Sequence, residues 1–185
     1  MSRRAGLNRA AVVEAAAELI DAQGGELSLR EVAQTLGVRT PSLYNHVEGL
    51  EDLRRELALL GLRELTQVIL RAAAGRSGSD ALLNVARAYR DYARARPGIY
   101  TTVQRVPAQH DAELDTRASE IVAVLAAIFE PLGFRDDDAV HAIRGFRSLL
   151  HGFVALEAAG GFGIPLDLDE SFERAVRAYI NGLAA

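Results

Sequence analysis

Apolar residues recur at helical spacing along most of the chain, and residues 28–36 show the clearest amphipathic pattern. Ser28 followed three residues later by Glu31 predicts a capping box at the start of a helix. Gly37 can end that helix, because glycine adopts the left-handed conformation at little cost. The apolar residues of the segment fall at positions i, i+3, i+4 and i+7 of one helical face: Leu29, Val32, Ala33 and Leu36.

A second short helix is predicted soon after Gly37. Thr40 can cap this helix, and Pro41 suits its first position, where a missing N–H is harmless. Leu43 and Val47 are spaced to face a core. The other positions point outward: Thr40, Ser42, Tyr44, Asn45 and His46. Two helices joined by a tight turn are typical of the DNA-binding helix-turn-helix motif, whose second helix, the recognition helix, lies in the major groove.

The residues before this motif predict one more helix, which completes a small three-helix domain. Asn8 is a good N-cap, and the helix runs to about Gln23 before two glycines. Arg3, Arg4 and Arg9 lie ahead of this helix or at its start, where a basic arm can reach phosphates or the minor groove. The buried stripe of the helix is predicted to be Val13, Ala16, Ala17 and Ile20.

The remainder of the chain is also predicted to be helical, with short breaks that contain glycine, proline or serine. No alternation typical of strands and no internal repeat is visible. The predicted fold is therefore all-α, with a helix-turn-helix domain over residues 1–48 and a larger helical domain over residues 49–185. The helices of the larger domain are expected at about 49–74, 79–96, 99–105, 112–129, 136–159 and 170–183.

Composition narrows the class of protein further. The chain has 185 residues, 49% of them hydrophobic, and no cysteine, which excludes disulfides and thiolate chemistry. Its N-terminus lacks the apolar run of a signal peptide, and the longest apolar run, residues 121–129, is shorter than the ~18 residues of a membrane span. We therefore expect a cytoplasmic protein without membrane contact. The net charge of −4 argues mildly against DNA binding, although local arrangement matters more than the total.

Three segments resemble the DNA-binding domain of the TetR/AcrR family of bacterial transcriptional regulators. They are AAAELIDAQG (15–24), LSLREVAQTLGV (27–38) and SLYNHVEGLEDL (42–53). The resemblance implies an all-α fold whose second domain dimerises and binds a ligand. The chain departs from the family pattern at Val47, where an aromatic residue is common. It also has acidic residues where the family often has a lysine: Glu48, Glu51 and Asp52.

The second half resembles a C-terminal domain of one TetR-type branch, which is named for a Trp-His-Gly signature. The similar segments are RARPGIYTTV (94–103) and residues 149–183. His151 and Gly152 match the signature, whereas Leu150 replaces the tryptophan. Taken together, the two resemblances cover most of the chain.

These observations assign candidate DNA contacts. By resemblance, Tyr44 and His46 contact phosphates; the alternative is that they pack on the helix surface. We predict base contacts from the exposed leading edge of the recognition helix, Arg39, Thr40, Pro41, Ser42 and Asn45, for which the alternative is plain solvation. Arg39 can bond a guanine and Asn45 an adenine in bidentate fashion. The predicted phosphate contacts are Ser28, Arg30, Tyr44, His46, Arg3 and Arg4, and for Arg30 the open alternative is a solvated helix residue.

A homodimer is predicted from the segment 146–156, which is apolar around much of its circumference. Such a helix needs partners on more than one side, either a second copy or the centre of a monomer core. The family pairs through its last helices, which favours the dimer, and a two-fold dimer reads a palindromic operator in double-stranded DNA. The predicted interface comprises Leu149, Phe153, Leu156, Phe172, Val176, Tyr179 and Ile180.

Aromatic residues of the second domain can line an apolar ligand cavity, although ordinary core packing is the simpler explanation for most of them. The candidates are Tyr89, Tyr92, Tyr100, Phe129, Phe146 and His151. The acids at 136–138 with His141 suggest a metal site, but stabilisation of a helix N-terminus explains them more simply. We therefore predict no metal and no cofactor. No enzyme motif occurs, and we expect no catalytic residue.

The leading hypothesis is a transcriptional repressor that a small-molecule effector releases from its operator. The effector would favour a dimer conformation in which the two recognition helices no longer match the half-sites. The alternative is a helical ligand-binding or protein-interaction module without sequence-specific DNA binding. The acidic residues within 48–52 and the acidic net charge motivate that alternative.

Overall fold

The computed structural model describes residues 7–24, 27–104 and 110–183. Every regular element within these ranges is helical, so the prediction of an all-α fold is confirmed. The helices are α1 (Arg9–Gln23), α2 (Leu29–Thr35), α3 (Thr40–Leu43), α4 (Leu50–Ala73), α5 (Gly78–Ala95), α6 (Pro97–Val103), α7 (Ala112–Phe129), α8 (Asp136–Ala158) and α9 (Leu168–Gly182). A 3₁₀ turn, Glu130–Leu132, follows α7. In the ranges described, no helix is both long and apolar enough to cross a membrane.

The chain divides into two compact units. The first unit contains the described residues within 1–62 and 96–114, and the second contains those within 63–95 and 115–185. Helix α6 belongs to the first unit, although α4 and α5 separate it from the helix-turn-helix motif in the sequence. The predicted division into functional domains at residues 48 and 49 stays a prediction.

Predicted local signals start and end the first helices. The Asn8 side chain accepts a hydrogen bond from the Ala11 N–H at 2.9 Å, and Gly24 ends α1 with a φ of 61°. The Ser28 hydroxyl accepts from the Glu31 N–H at 3.3 Å and donates to the Glu31 carboxylate at 2.5 Å. The predicted caps of α1 and α2 are thus confirmed, which accounts for where both helices begin.

The recognition helix begins one residue earlier than the sequence predicts. Arg39, not Thr40, is its N-cap residue, because Arg39 has the extended backbone (φ −84°, ψ 144°) and Thr40 is already helical. Within the described part of the chain no side chain caps this helix, and Pro41 lies in its first turn. Leu43 and Val47 are 0% and 1% exposed, so their predicted core role is confirmed.

Helix packing gives each unit its own core. In the first unit α1 packs against α2 and α6, and α2 packs against α3. In the second unit α8 packs against α9, and α5 packs against both. The rings of Phe129 and Phe146 meet edge to face at 6.0 Å, and the Tyr179 hydroxyl donates to the Ala142 carbonyl at 2.5 Å. The buried face of α5 includes the predicted Leu82, Val85, Ala86, Tyr89, Tyr92 and Ala93.

Candidate nucleic-acid interface

Main-chain hydrogen bonds fix the turn that leads into the recognition helix. Gly37 has a φ of 66°, and its N–H donates to the Gln34 carbonyl at 3.0 Å. The Val38 N–H donates to the Ala33 carbonyl, also at 3.0 Å. A residue with a side chain would be strained at Gly37, because a positive φ brings the Cβ close to the main chain. The turn therefore depends on this glycine.

Four of the residues predicted to contact bases lie at the start of the recognition helix, and the fifth, Asn45, lies in the turn that follows it. Three of them are exposed and two are half-buried: Arg39, Pro41 and Asn45, then Thr40 and Ser42. Helix α3 itself is short, and a turn continues it as far as His46, whose N–H donates to the Leu43 carbonyl at 2.8 Å. The buried side of this segment faces the core of the first unit, and its polar side chains reach the surface.

The residues predicted to contact phosphates differ in their exposure to solvent. Tyr44 is 58% exposed and Arg30 is exposed, whereas His46 is half-buried. Ser28 is half-buried, and its hydroxyl is already bonded to Glu31. The predicted contacts at residues 3 and 4, Arg3 and Arg4, lie outside the described residues.

Arg9 holds the end of the recognition helix, a role that the sequence analysis missed when it placed Arg9 in a basic arm. Its Nη1 donates to the His46 carbonyl at 2.9 Å, and its Nη2 donates to Asp52 Oδ1 at 2.7 Å and to Glu56 Oε1 at 3.0 Å. Asp52 Oδ2 accepts from the Glu48 N–H at 2.9 Å. Burial opposes the charge of Asp52, but the Glu48 N–H and Arg9 outweigh it and lower the pKa of this carboxyl.

A second ion-pair cluster in the first unit joins α4 to the start of α7. Arg55 donates from Nε to Asp111 Oδ2 at 2.5 Å and from Nη2 to Glu113 Oε2 at 2.8 Å. Asp111 also accepts from the Leu114 N–H at 3.1 Å, so it caps α7. Hydrogen bonds from Arg55 and from Leu114 lower the pKa of Asp111 to about 2. Asp111 is therefore ionised under all ordinary conditions.

Helix α6 meets α1 at close range. Asp21 Oδ1 accepts from the Ile99 N–H at 2.9 Å, and Asp21 Oδ2 lies 2.9 Å from Arg96 Nε. A Cβ on Gly98 would lie 2.3 Å from the Ile20 carbonyl oxygen, so only glycine fits there. This contact makes α6 an integral part of the unit that carries the recognition helix.

The aromatic candidates for a ligand pocket are placed in both units. Tyr100 is buried in the first unit. In the second unit the Tyr92 hydroxyl donates to Glu64 at 3.1 Å, and His151 is half-buried. The structure brings Phe129 and Phe146 together within its core, and both are almost completely buried. Their role as a pocket lining stays a prediction.

The acidic residues considered for a metal site occupy the first turn of α8. A helix N-terminus favours negative charge, which is the simpler explanation of these acids. Among the residues that the structure describes, no group of three or more histidine or acidic side chains is arranged to hold a metal ion.

The residues predicted to form a dimer interface differ in exposure. Phe172, Val176 and Ile180 are buried within their own chain. The other four keep accessible surface: Leu149, Phe153, Tyr179 and Leu156, the last 51% exposed. In this conformation the predicted interface can therefore rest only on these four residues.

A buried arginine on α5 binds acidic residues of α8 and α9 in the second unit. Its role was not predicted from the sequence. Arg90 on α5 is 5% exposed and binds Glu157 on α8 through two bonds of 2.8 and 2.7 Å. Its Nη1 lies 2.9 Å from Asp169 on α9. The rings of Phe153 and Phe172 lie 5.3 and 4.9 Å from its guanidinium carbon. The Arg90 hydrogen bonds lower the pKa of Glu157 despite burial.

A helix-turn-helix with an exposed polar edge, joined to a second helical unit, defines the class of helix-turn-helix transcriptional regulators. A family model, the tetracyclin repressor-like C-terminal domain, matches residues 82–179. The chain is 37% identical over 185 residues to the uncharacterized HTH-type transcriptional regulator YobS of Bacillus subtilis (strain 168), covering 99% of this chain and 96% of that protein.

Solved structures share the fold. A protein of unknown function from Rhodococcus sp. RHA1 has a TM-score of 0.83 at 21% identity, with 100% of both chains covered. A single-residue variant of TetR from Acinetobacter baumannii AYE, in complex with minocycline, has a TM-score of 0.69 at 24% identity, covering 95% of this chain and 96% of that chain. The chain belongs to the TetR family of transcriptional regulators, a family of regulators and not of enzymes. The Trp-His-Gly branch stays a prediction.

Proposed function

We propose that the chain is a homodimeric repressor that binds a palindromic operator through its recognition helix. The exposed edge from Arg39 to Asn45, set on the buried Leu43, carries this proposal. Arg39 bonds a guanine and Asn45 an adenine through paired hydrogen bonds in the major groove. Thr40, Ser42 and Pro41 complete the base contacts.

Phosphate contacts fix the position of this helix on the duplex. Tyr44 and Arg30 are exposed and can reach the DNA backbone from either side of the turn. His46, Ser28 and the N-terminal Arg3 and Arg4 contribute further contacts to phosphates in the proposal. These contacts raise the affinity for every sequence alike, whereas the base contacts raise it for the operator alone.

The test is a selection from random duplex DNA with the purified protein. Enrichment of a palindrome supports the proposal and yields the operator. Arg39→Ala and Asn45→Ala then relax the preference at particular base pairs by about 1–3 kcal/mol each, while Tyr44→Phe weakens binding to all sequences. Arg174→Ala, which removes an exposed arginine of the second unit, is the matched control for lost charge. A selection without enrichment contradicts the proposal and favours a binding module.

Dimerisation and effector binding belong to the second unit in this proposal. Two copies pair through accessible residues of α8 and α9, Leu149, Phe153, Leu156 and Tyr179. An apolar or amphipathic effector opens the core around Tyr89, Tyr92, Phe129, Phe146 and His151. The minocycline complex of the structurally similar TetR variant supports a small-molecule effector. The protein acts in the cytoplasm and performs no catalysis.

The effector acts by shifting the population of dimer conformations. Because linkage is reciprocal, a compound that weakens operator binding must itself bind less tightly when operator is present. A panel of apolar and amphipathic compounds, minocycline among them, is titrated against the operator complex. Compounds that bind the protein without changing operator affinity contradict the coupling and leave DNA recognition intact.

A further inference from the structure

Arg9 connects three elements of the first unit at one point. As the first residue of α1, it reaches the His46 carbonyl at the end of the recognition helix and two carboxylates of α4, Asp52 and Glu56. The three donor–acceptor distances lie between 2.7 and 3.0 Å. The planar guanidinium can hold several acceptors in fixed directions at once, which a lysine cannot do.

The recognition helix needs such external support. Helix α3 has four residues, and helices this short are not stable by themselves in water. None of the described side chains caps its N-terminus. In the turn that follows α3, the His46 carbonyl accepts a charged hydrogen bond from Arg9, which is stronger than a neutral one. Arg9 therefore links the turn after the recognition helix to α1 and α4, in addition to the packing of the buried Leu43 and Val47.

The charges around Arg9 argue against a phosphate contact by the same residue. Asp52 and Glu56 together bring two negative charges within 3.0 Å of its Nη2. A phosphate would have to approach this position against both carboxylates. Asp52 also accepts a hydrogen bond of 2.9 Å from the Glu48 N–H, which holds this carboxylate at the start of α4.

We propose that Arg9 is a positioning residue for operator recognition: it sets the orientation of the recognition helix without touching DNA. The inference rests on the proposed DNA-binding function and goes beyond it. A contact with DNA and a positioning role predict different changes, because each phosphate contact contributes about 0.9 to the slope of log affinity against log salt. Loss of a positioning residue leaves that slope unchanged and lowers discrimination between operator and other sequences.

The experiment measures operator and non-operator affinities of full-length Arg9→Gln at several salt concentrations. The operator affinity is expected to fall about tenfold or more, non-operator affinity to change little, and the salt slope to stay as in the parent. Arg9→Lys retains the charge but lacks the planar guanidinium that binds several acceptors at once. It is therefore expected to show the same loss of discrimination between operator and other sequences. Arg174→Gln, an exposed arginine paired within α9, is the matched control and should change neither quantity.

Other outcomes overturn the inference. A salt slope reduced by about 1 in Arg9→Gln, with Arg9→Lys like the parent, identifies a phosphate contact. Equal loss of operator and non-operator binding, together with lower helicity, identifies a role in folding alone. If Arg9→Gln does not fold, Arg9→Lys with unchanged discrimination overturns the inference. A parent protein without sequence-selective binding contradicts the proposed function itself, whereas a selective parent with an unaffected Arg9→Gln contradicts only the positioning role.

Discussion

Replacing Gly98 by alanine places one methyl group into the contact between α6 and α1. The new Cβ would lie 2.3 Å from the Ile20 carbonyl oxygen, 2.4 Å from its carbonyl carbon and 2.7 Å from the Asp21 nitrogen. All three atoms belong to the main chain of α1, so no side-chain rotation relieves the overlap. Either α6 moves away from α1 or the last turn of α1 unwinds.

The cost follows from what such a movement breaks. Overpacking by a methyl group typically costs about 1–3 kcal/mol, and a collision with main chain lies at the upper end of that range. A shift of α6 also strains the hydrogen bond of 2.9 Å from the Ile99 N–H to Asp21. We expect a loss of about 3 kcal/mol in the free energy of unfolding, which lowers Tm by about 6–12 °C for a chain of this size.

Circular dichroism during thermal and urea unfolding measures this loss. Gly182→Ala is the matched control, because Gly182 also lies in a helix and is exposed, and its Cβ would meet no atom of the described residues within 4 Å. Alanine is the better helix former, so the control should gain up to about 1 kcal/mol. A Gly98→Ala protein as stable as the parent would refute the reasoning, since α6 would then not be held against α1 as described.

The remaining predictions concern stability in both units. Ser28→Ala removes the N-cap of α2 and should cost about 1 kcal/mol in urea unfolding. Phe146→Ala should cost about 3–5 kcal/mol, because this ring is buried, whereas Leu156→Ala at an exposed position should stay within about 0.5 kcal/mol in the monomer. Asp111 has its pKa lowered from 3.8 to about 2 by Arg55, so its stabilisation is complete above pH 4 and is lost as the pH falls through 2. Acid titration of Asp111→Asn should therefore show a flatter loss of stability over that interval; an unchanged titration would contradict the assignment.

Local signals allowed much of the fold to be predicted from the sequence. The caps at Asn8 and Ser28 and the turn at Gly37 depend on residues within four positions of each other, and all three are present. The helical periodicity likewise identified buried positions such as Leu43 and Val47. The recognition helix begins one residue earlier than predicted. The residue before a proline can be either the cap or the first helical position, and Thr40 is the first helical position here.

Contacts between distant residues could not be predicted in the same way. Arg9 and Asp52 are separated by 43 positions, and Arg55 and Asp111 by 56. Periodicity contains no information on which charged residue of one helix meets which residue of another. The same limit applies to Arg90, whose burial depends on carboxylates from two later helices.

Two of the acidic residues that follow the recognition helix, Glu51 and Asp52, are paired with arginines, which weakens the alternative of a module without DNA recognition. That alternative is motivated by the acidic residues within 48–52, which stand where the family often has a lysine. In the structure Asp52 is paired with Arg9, and Glu51 lies 2.5 Å from Arg54. Paired charges repel a phosphate less than isolated ones, because the fields of the partners largely cancel at a distance. Asp52 also binds Arg9, which donates to the His46 carbonyl, so an acid that argues against DNA binding by its charge is part of the contact proposed to orient the recognition helix.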